Sequence, residues 1–496
     1  MNPSQLVLLP ILIPLTGGVV ALLLRSRPRL QRFWSLGAMT GALAGSLALF
    51  AEVWERGAPV VCQVGGWPAP FGIALVGDGL SALFVVMTFI VMVTGVIYAM
   101  GSRDVVVRYP AFHPLFLSLA AGLAGAILTG DLFTMYVFAE LLVISGTMLT
   151  AASDDPFGVE AAYKYYYMSL TASFFMLLAI GCLYAAYGTL NMADLARRIA
   201  ADPSQPLLLP AVGLLTAVFM IKSAVFPFHF WQPDFHSAAP TAVSAMLSSV
   251  VVKFGVYGFF RMTTLLFVVH APTIRSLLLV LGAAGILFGG LSAAGTRNLK
   301  RMLAYSTIAQ VGFILVGIGW GTRMALAAAV VFAVNHSMIK AAMLMLAGAV
   351  VSRAPVKSAA YNVIDGIGRP IFGAKLLFFL GGMGLAGIPP TNGFIGKMLL
   401  FRSGAAEDRF GMLVIIGAAG TLTLVYTMRA FQRVFWTPAS EEGLAKPVGD
   451  RLLAPALLIG LVVLLGLWAE PLVRCAGDAA QWMTTPMVYV QAVLGG

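Results

Sequence analysis

The chain is expected to fold as an all-α polytopic membrane protein with about fourteen transmembrane helices. Composition is the first reason: 60% of its 496 residues are hydrophobic and only 10% are charged. A soluble globular chain has roughly 45–50% apolar and 25% charged residues. Patterning is the second, because the charges bunch between long uncharged runs and about 20 apolar residues are enough to cross a bilayer. The third is the absence of any long polar stretch that would separate domains. Together these exclude a soluble enzyme, a nucleic-acid binder and a disordered chain. The net charge of +11 is therefore read by position along the chain and not as affinity for nucleic acid.

Apolar runs bounded by charge or Pro/Gly punctuation predict spans over 4–24, 33–51, 73–100, 112–129, 132–151, 161–187 and 208–226. Seven more follow over 241–268, 276–295, 302–320, 324–351, 370–401, 411–436 and 452–470. Two are too long for a straight crossing: 73–100 is expected to tilt and 370–401 to break. The first run lacks a basic flank and a small-residue cleavage site, so it is read as a span and not a removable signal. Cys62, Cys182 and Cys475 lie too far apart for a disulfide framework or a metal set. When alternate loops are grouped, about two-thirds of the loop arginines and lysines fall on one side, from Arg25 and Arg27 to Lys446 and Arg451. That bias makes the basic side cytoplasmic and puts both termini outside, in a cell membrane.

Six charges do not belong to loops. Lys222, Lys253, Lys340, Lys375, Lys397 and Glu140 interrupt apolar runs, where an ionised group costs at least ~2.5–3.5 kcal/mol. Lys375, five residues into its run, is read as snorkelling to the interface. Lys222 and Lys253 are mid-run, and Glu140 is ten residues into GDLFTMYVFAELLVISG. One acid among several lysines suits a proton relay, because an apolar surround disfavours the ammonium and a neighbouring carboxylate restores it. Contact at ~4 Å is worth about 4 kcal/mol at an effective dielectric of ~20, more than the ~2.3 kcal/mol for one charge crossing 100 mV. A purely structural ion pair would explain one lysine beside Glu140 but not three or four. His336 and Lys340 are four apart on one helix face, and a histidine titrates near neutrality. His229, Asp234 and His236 lie in FPFHFWQPDFHSAAPT between two spans, where satisfied core histidines are the alternative reading. His113 and His270, at span ends, are read as interfacial.

Pro227 and Pro233 interrupt one segment; Pro389 and Pro390, in GIPPTNGFIGK, interrupt another. Broken backbone survives in a membrane only where protein or a water-filled cavity satisfies it. Paired breaks in two halves point to inverted repeats with the site between them.

Five separated motifs, GGWPAPFGI, GDLFTMYVFAE, FPFHFWQPDFHSAAPT, NLKRMLAYSTIAQVG and GIPPTNGFIGK, resemble the antiporter-like subunits of respiratory complex I, membrane-bound hydrogenases and Mrp-type cation/proton antiporters. The first and third are most similar to the Mrp-type branch. The resemblance implies two inverted five-helix repeats with broken helices 7 and 12. The chain then divides into N-terminal helices (1–110), a first repeat (111–268), a second repeat (272–436) and a C-terminal helix with tail (437–496). It also implies a mid-membrane proton path through Glu140, Lys222, Lys253, His336, Lys340 and Lys397, with His229, Asp234 and His236 giving access or linking. The expected function is proton translocation within a multisubunit Na⁺/H⁺ antiporter, in a lipid bilayer, with further antiporter-like and small membrane subunits as partners. The alternative is the same module in a redox-driven complex. No catalytic residue, metal, flavin, Fe–S group or other cofactor is implied.

Overall fold

The structure, a computed structural model, describes residues 3–153, 155–438, 446 and 448–495. The apolar runs become helices because a bilayer offers backbone amides and carbonyls no partner outside the segment itself. α1 (Leu9–Leu23), α2 (Pro28–Arg56), α3 (Gly79–Gly101), α4 (Phe112–Leu128), α5 (Leu132–Ala151) and α6 (Pro156–Tyr187) follow the first six runs. Their starts are written in side chains: Asp131 caps the Thr134 amide, and Asp155 caps Gly158 with Pro156 at the first helical position.

The 73–100 run is not helical throughout. Its first residues form β2 (Ala74–Gly77), antiparallel to β1 (Val60–Gln63) with Val60 opposite Gly77. The helix starts only at Gly79, where Asp78 and Ser81 make a reciprocal capping box. Apolarity alone does not distinguish a short buried strand from the first turns of a helix.

A short amphipathic α7 (Met192–Ala201) precedes α8 (Leu208–Lys222) and α9 (Trp231–Ala238), which are two halves of one interrupted segment. α10 (Thr241–Met246) and α11 (Val252–Arg261) are joined by a π-helical turn, Leu247–Val251, and a second, Met262–Leu266, follows. Then come α12 (Ala271–Gly295), α13 (Leu299–Trp320), α14 (Arg323–Val351) and the single-turn α15 (Tyr361–Ile364). The 370–401 run does break, into α16 (Phe372–Ala386) and α17 (Asn392–Ala406). α18 (Phe410–Phe435), α19 (Leu453–Leu467), α20 (Glu470–Met483) and α21 (Met487–Leu494) complete the chain, with α19 and α20 bent by 81°.

Among the described residues, ten helices are long and apolar enough to cross a membrane, and the bent pair makes up to eleven. This is a multi-pass, mostly helical membrane protein. The 241–266 segment and α14 are buried on all sides, and α13 nearly so. A helix apolar around its whole circumference belongs in the interior, so a charge in the middle of these helices has no route to the surface by stretching. Loops from the basic side gather at one face: Lys164 and Arg301 pair with Asp234, Lys357 with Asp104, and Arg433 with Asp365.

Two basic residues that loop counting places in water are buried. Arg261 is 4% exposed and forms a bidentate pair with Asp78 at 2.7 and 2.8 Å, its Nε donating to the Tyr257 hydroxyl at 2.8 Å. Lys300 is 5% exposed. Both lie just inside helix ends, where sequence position alone does not reveal what packs on top.

Candidate functional site

α8 ends at Lys222, and the backbone turns away through Ala224 in left-handed conformation (φ 52°). An ammonium at a helix C-terminus meets the negative end of the helix dipole. Lys222 is buried and donates to the Ser169 carbonyl of α6 at 3.4 Å. One turn along α6, the Ser173 hydroxyl bonds both to that same carbonyl, at 2.9 Å, and to the Glu140 carboxylate on α5. Glu140 is half-buried and lies within electrostatic reach of Lys222, but no direct ion pair joins them among the described residues. The expected contact is replaced by a bridge of one hydroxyl and one carbonyl. Ser169 and Ser173, four apart on one helix face, are the residues that sequence reasoning missed; their i, i+4 spacing opposite Glu140 was the available signal.

The interior cluster is more direct. Lys253 sits two residues past the first π-turn and donates to the Ser249 carbonyl at 2.8 Å. Ser337 of α14 donates to the same carbonyl at 3.1 Å. π-turns widen a helix and expose its carbonyls, which is why they recur at functional positions. Lys253 Nζ also meets His336 Nδ1, and one turn on, Lys340 donates to the Leu303 carbonyl at 3.0 Å. Lys253, His336 and Lys340 are each 0% exposed, which removes snorkelling as an explanation. His336 Nε2 has no hydrogen-bond partner.

Lys397 stands apart. Its ammonium reaches back across the 387–391 break to the Leu385 and Ala386 carbonyls, at 3.2 and 2.5 Å, which end α16. The Phe313 ring lies 5.2 Å away. A cavity of about 380 Å³ opens beside it, between the break and α18. Among the described residues no hydrogen bond joins Lys397 to His336; Asn335 and Asn392, both buried with unpartnered amide oxygens, lie at the α14–α17 junction instead. Pro389 and Pro390 occupy this break and Pro227 the first one, whereas Pro233 sits in the first turn of α9, where an amide would lack a helical acceptor anyway.

The three access candidates separate. His229 is half-buried, stacked on Phe226 and with the Phe288 ring tilted against it. Asp234 is held at the basic face by Lys164 at 2.8 Å and by Arg301. His236 is fully buried, shares its Nδ1 with Ser244 at 3.0 Å, and lies within electrostatic reach of Lys300 and Lys340. Lys375 is part-exposed in the first turn of α16, as a snorkelling residue would be. His113, the second residue of α4, is 2% exposed and packed edge-on against Phe112. The three cysteines are free.

Residues 129–425 match the family described as NADH:quinone oxidoreductase/Mrp antiporter, TM. The chain is 32% identical to the D subunit of the Na(+)/H(+) antiporter of Alkalihalophilus pseudofirmus and 33% identical to its namesake in Bacillus subtilis. In each pairing 99% of both chains is covered. A chain in the solved Mrp complex from Dietzia sp. DQ12-45-1b superimposes with a TM-score of 0.91 at 28% identity, covering 100% of both chains. Buried lysines threaded along broken helices, the matched core and full-length kinship lead to one conclusion: the chain belongs to the membrane-subunit family shared by NADH:quinone oxidoreductases and Mrp antiporters.

Proposed function

We propose that this chain is the proton-translocating subunit of a multisubunit Na⁺/H⁺ antiporter, a component of a secondary transporter and not an enzyme. Glu140 and Lys222, coupled through Ser173 and the Ser169 carbonyl, form the switch. Lys253, His336 and Lys340 relay the proton through the interior, Lys397 passes it toward the other side, and His236 links the relay to the basic face; His229 and Asp234 line the approach. The observation that carries this reading is the fully buried cluster in which Lys253 meets His336 with Lys340 one helical turn on. A structural core would place leucine or methionine at those positions.

The architecture of the reading is fourteen spans. The ten long helices, the bent pair and the three shorter apolar helices, Phe112–Leu128, Leu208–Lys222 and Phe372–Ala386, bring the number there. Inverted repeats over 111–268 and 272–436, between N-terminal helices (1–110) and a C-terminal part (437–496), are supported by a repeated helix contact. Gly122 closes on the Phe138 carbonyl and Leu142 amide, and Gly289 closes on the Tyr305 carbonyl and Ala309 amide. With the basic face cytoplasmic, both termini lie outside.

The test is proton–sodium exchange in everted vesicles carrying the whole complex with Lys222→Ala or Glu140→Ala. Exchange at the wild-type rate in both would overturn the reading. The family also serves redox-driven complexes; copurification with Fe–S subunits in place of small membrane subunits would move the chain to that class.

A further inference from the structure

A cavity of about 590 Å³ lies at the basic face, apart from the Lys253–His336–Lys340 cluster. Its walls come from the loop that follows α3 (Arg103 to Tyr109), from the ends of α10, α13 and α14, and from Lys446, Val448 and Asp450. Asp450, 5% exposed, crosses one side of it. It accepts from the Tyr98 hydroxyl at 2.5 Å and from the Arg103 amide at 2.7 Å, and its own amide donates to Ser352. The Tyr98 and Thr241 hydroxyls approach one another over Gly348, where a Cβ would come within 2.5 and 2.6 Å of them. A second cavity of about 350 Å³ adjoins, lined by Ser237 and Ala238 of α9. Lys300, Val351 and Lys357 line both.

Lys300 is unusual among them. It is buried, yet among the described residues it has neither a hydrogen bond nor an ion pair. Its electrostatic surroundings are Asp104 and Asp450 from the cavity wall, Lys357 across it, and His236 behind it. The Nε2 of His236 is likewise unpartnered. Buried polar groups in native proteins almost always have partners, so an unpartnered ring nitrogen beside a lysine that lines both cavities calls for a reason. A group that must take a proton from one side and release it to the other is such a reason.

We infer that this two-lobed cavity is the chamber from which protons are taken up at the basic face, and that Lys300 is the relay residue passing them to His236 and on to Lys340. In the step, a hydronium ion entering the chamber from the basic face gives a proton to the neutral Lys300 amine and is left as water. The resulting ammonium then gives a proton to His236, and the amine is regenerated. The inference rests on the proposed proton-translocating role.

The test is Lys300→Cys in the assembled complex, with Cys62, Cys182 and Cys475 replaced by serine. Sodium–proton exchange is expected to fall at least tenfold relative to the serine background. Treatment with 2-aminoethyl methanethiosulfonate in everted vesicles, where the cytoplasmic face is outward, builds a titratable amine on the cysteine and is expected to restore exchange. The trimethylammonium analogue carries a fixed charge, cannot release a proton, and is expected not to restore it. Equal rescue by both reagents, no loss in Lys300→Cys, or no reaction from the cytoplasmic face would each overturn the inference. Should Lys300→Cys fail to assemble, Gly348→Ala, which fills the chamber floor, is read instead: exchange at the parental rate overturns the inference and a severalfold loss supports it. Loss in Lys222→Ala combined with an unaffected Lys300→Cys would sink only this inference. Wild-type exchange in Lys222→Ala and Glu140→Ala would sink the transport reading itself.

Discussion

The two broken segments each carry a buried lysine beside the break, but they do so in opposite ways. In the first, Lys222 is the last residue of α8 and points away from its own break toward α6, where a serine hydroxyl connects it to Glu140. In the second, Lys397 belongs to the second half-helix and folds back onto the carbonyls that α16 leaves free. No carboxylate pairs with it among the described residues. The first arrangement is an acid and a base whose coupling can be made or broken. The second is a cation resting on neutral dipoles. A charge near an acid responds strongly to the acid's protonation, whereas a charge on carbonyls responds only to whether the carbonyls are free. The first break is therefore suited to switching and the second to holding or releasing.

The largest expected effect follows from that difference. Glu140→Gln removes the group that makes Lys222 switchable, and exchange in everted vesicles is expected to fall on the order of a hundredfold, about 2.7 kcal/mol in the barrier. Lys397→Met should cost about tenfold, ~1.4 kcal/mol, and Lys397→Glu more, since a carboxylate would face the Leu385 and Ala386 carbonyls. Equal losses from Lys397→Met and Lys397→Glu would show that the carbonyls do not hold the ammonium.

Ser173→Ala tests the bridge itself. A hydrogen bond to a charged group contributes about 1.5–3 kcal/mol, so exchange is expected to drop roughly tenfold or somewhat more, with assembly intact. A Ser173→Ala complex that exchanges at the wild-type rate would mean that Glu140 acts on Lys222 through space alone.

The smallest effect concerns the turns. The first break places an alanine, Ala224, at φ 52°, while the second has Gly387 at φ 80°. Left-handed backbone costs a residue with a Cβ about 1–2 kcal/mol. Ala224→Gly is expected to raise the melting temperature of the solubilised complex slightly. Gly387→Ala should lower it and also slow exchange, because the new Cβ would come within 2.5 Å of Lys397 Cδ. Opposite signs for the two substitutions would confirm that the breaks are built differently.

Much of the fold was legible because its causes are local. A run of about 20 apolar residues has few folded options in a bilayer, and a proline-rich interruption must be housed in protein. The buried charges stood out for the same reason: a lysine in mid-run is costly whatever surrounds it. Less legible were places where one local pattern has two tertiary outcomes. The run from 73 began as a strand, not as a helix. Arg261 and Lys300 sat where loops meet helices, and only the packing of Asp78 against one and the cavity around the other distinguished them from solvated surface.

Local pattern was therefore enough to establish a multi-pass helical membrane protein, the places where its helices break, and the side chains that carry charge into the interior. What each of those charges faces was settled by packing. Lys253 meets His336 across 83 residues of chain, and Lys222 meets a carbonyl 53 residues away. Such pairings depend on how helices come together, which is a property of joined surfaces and not of any one segment. The cost of burying a charge is paid locally, but the partner that makes it useful comes from elsewhere in the fold.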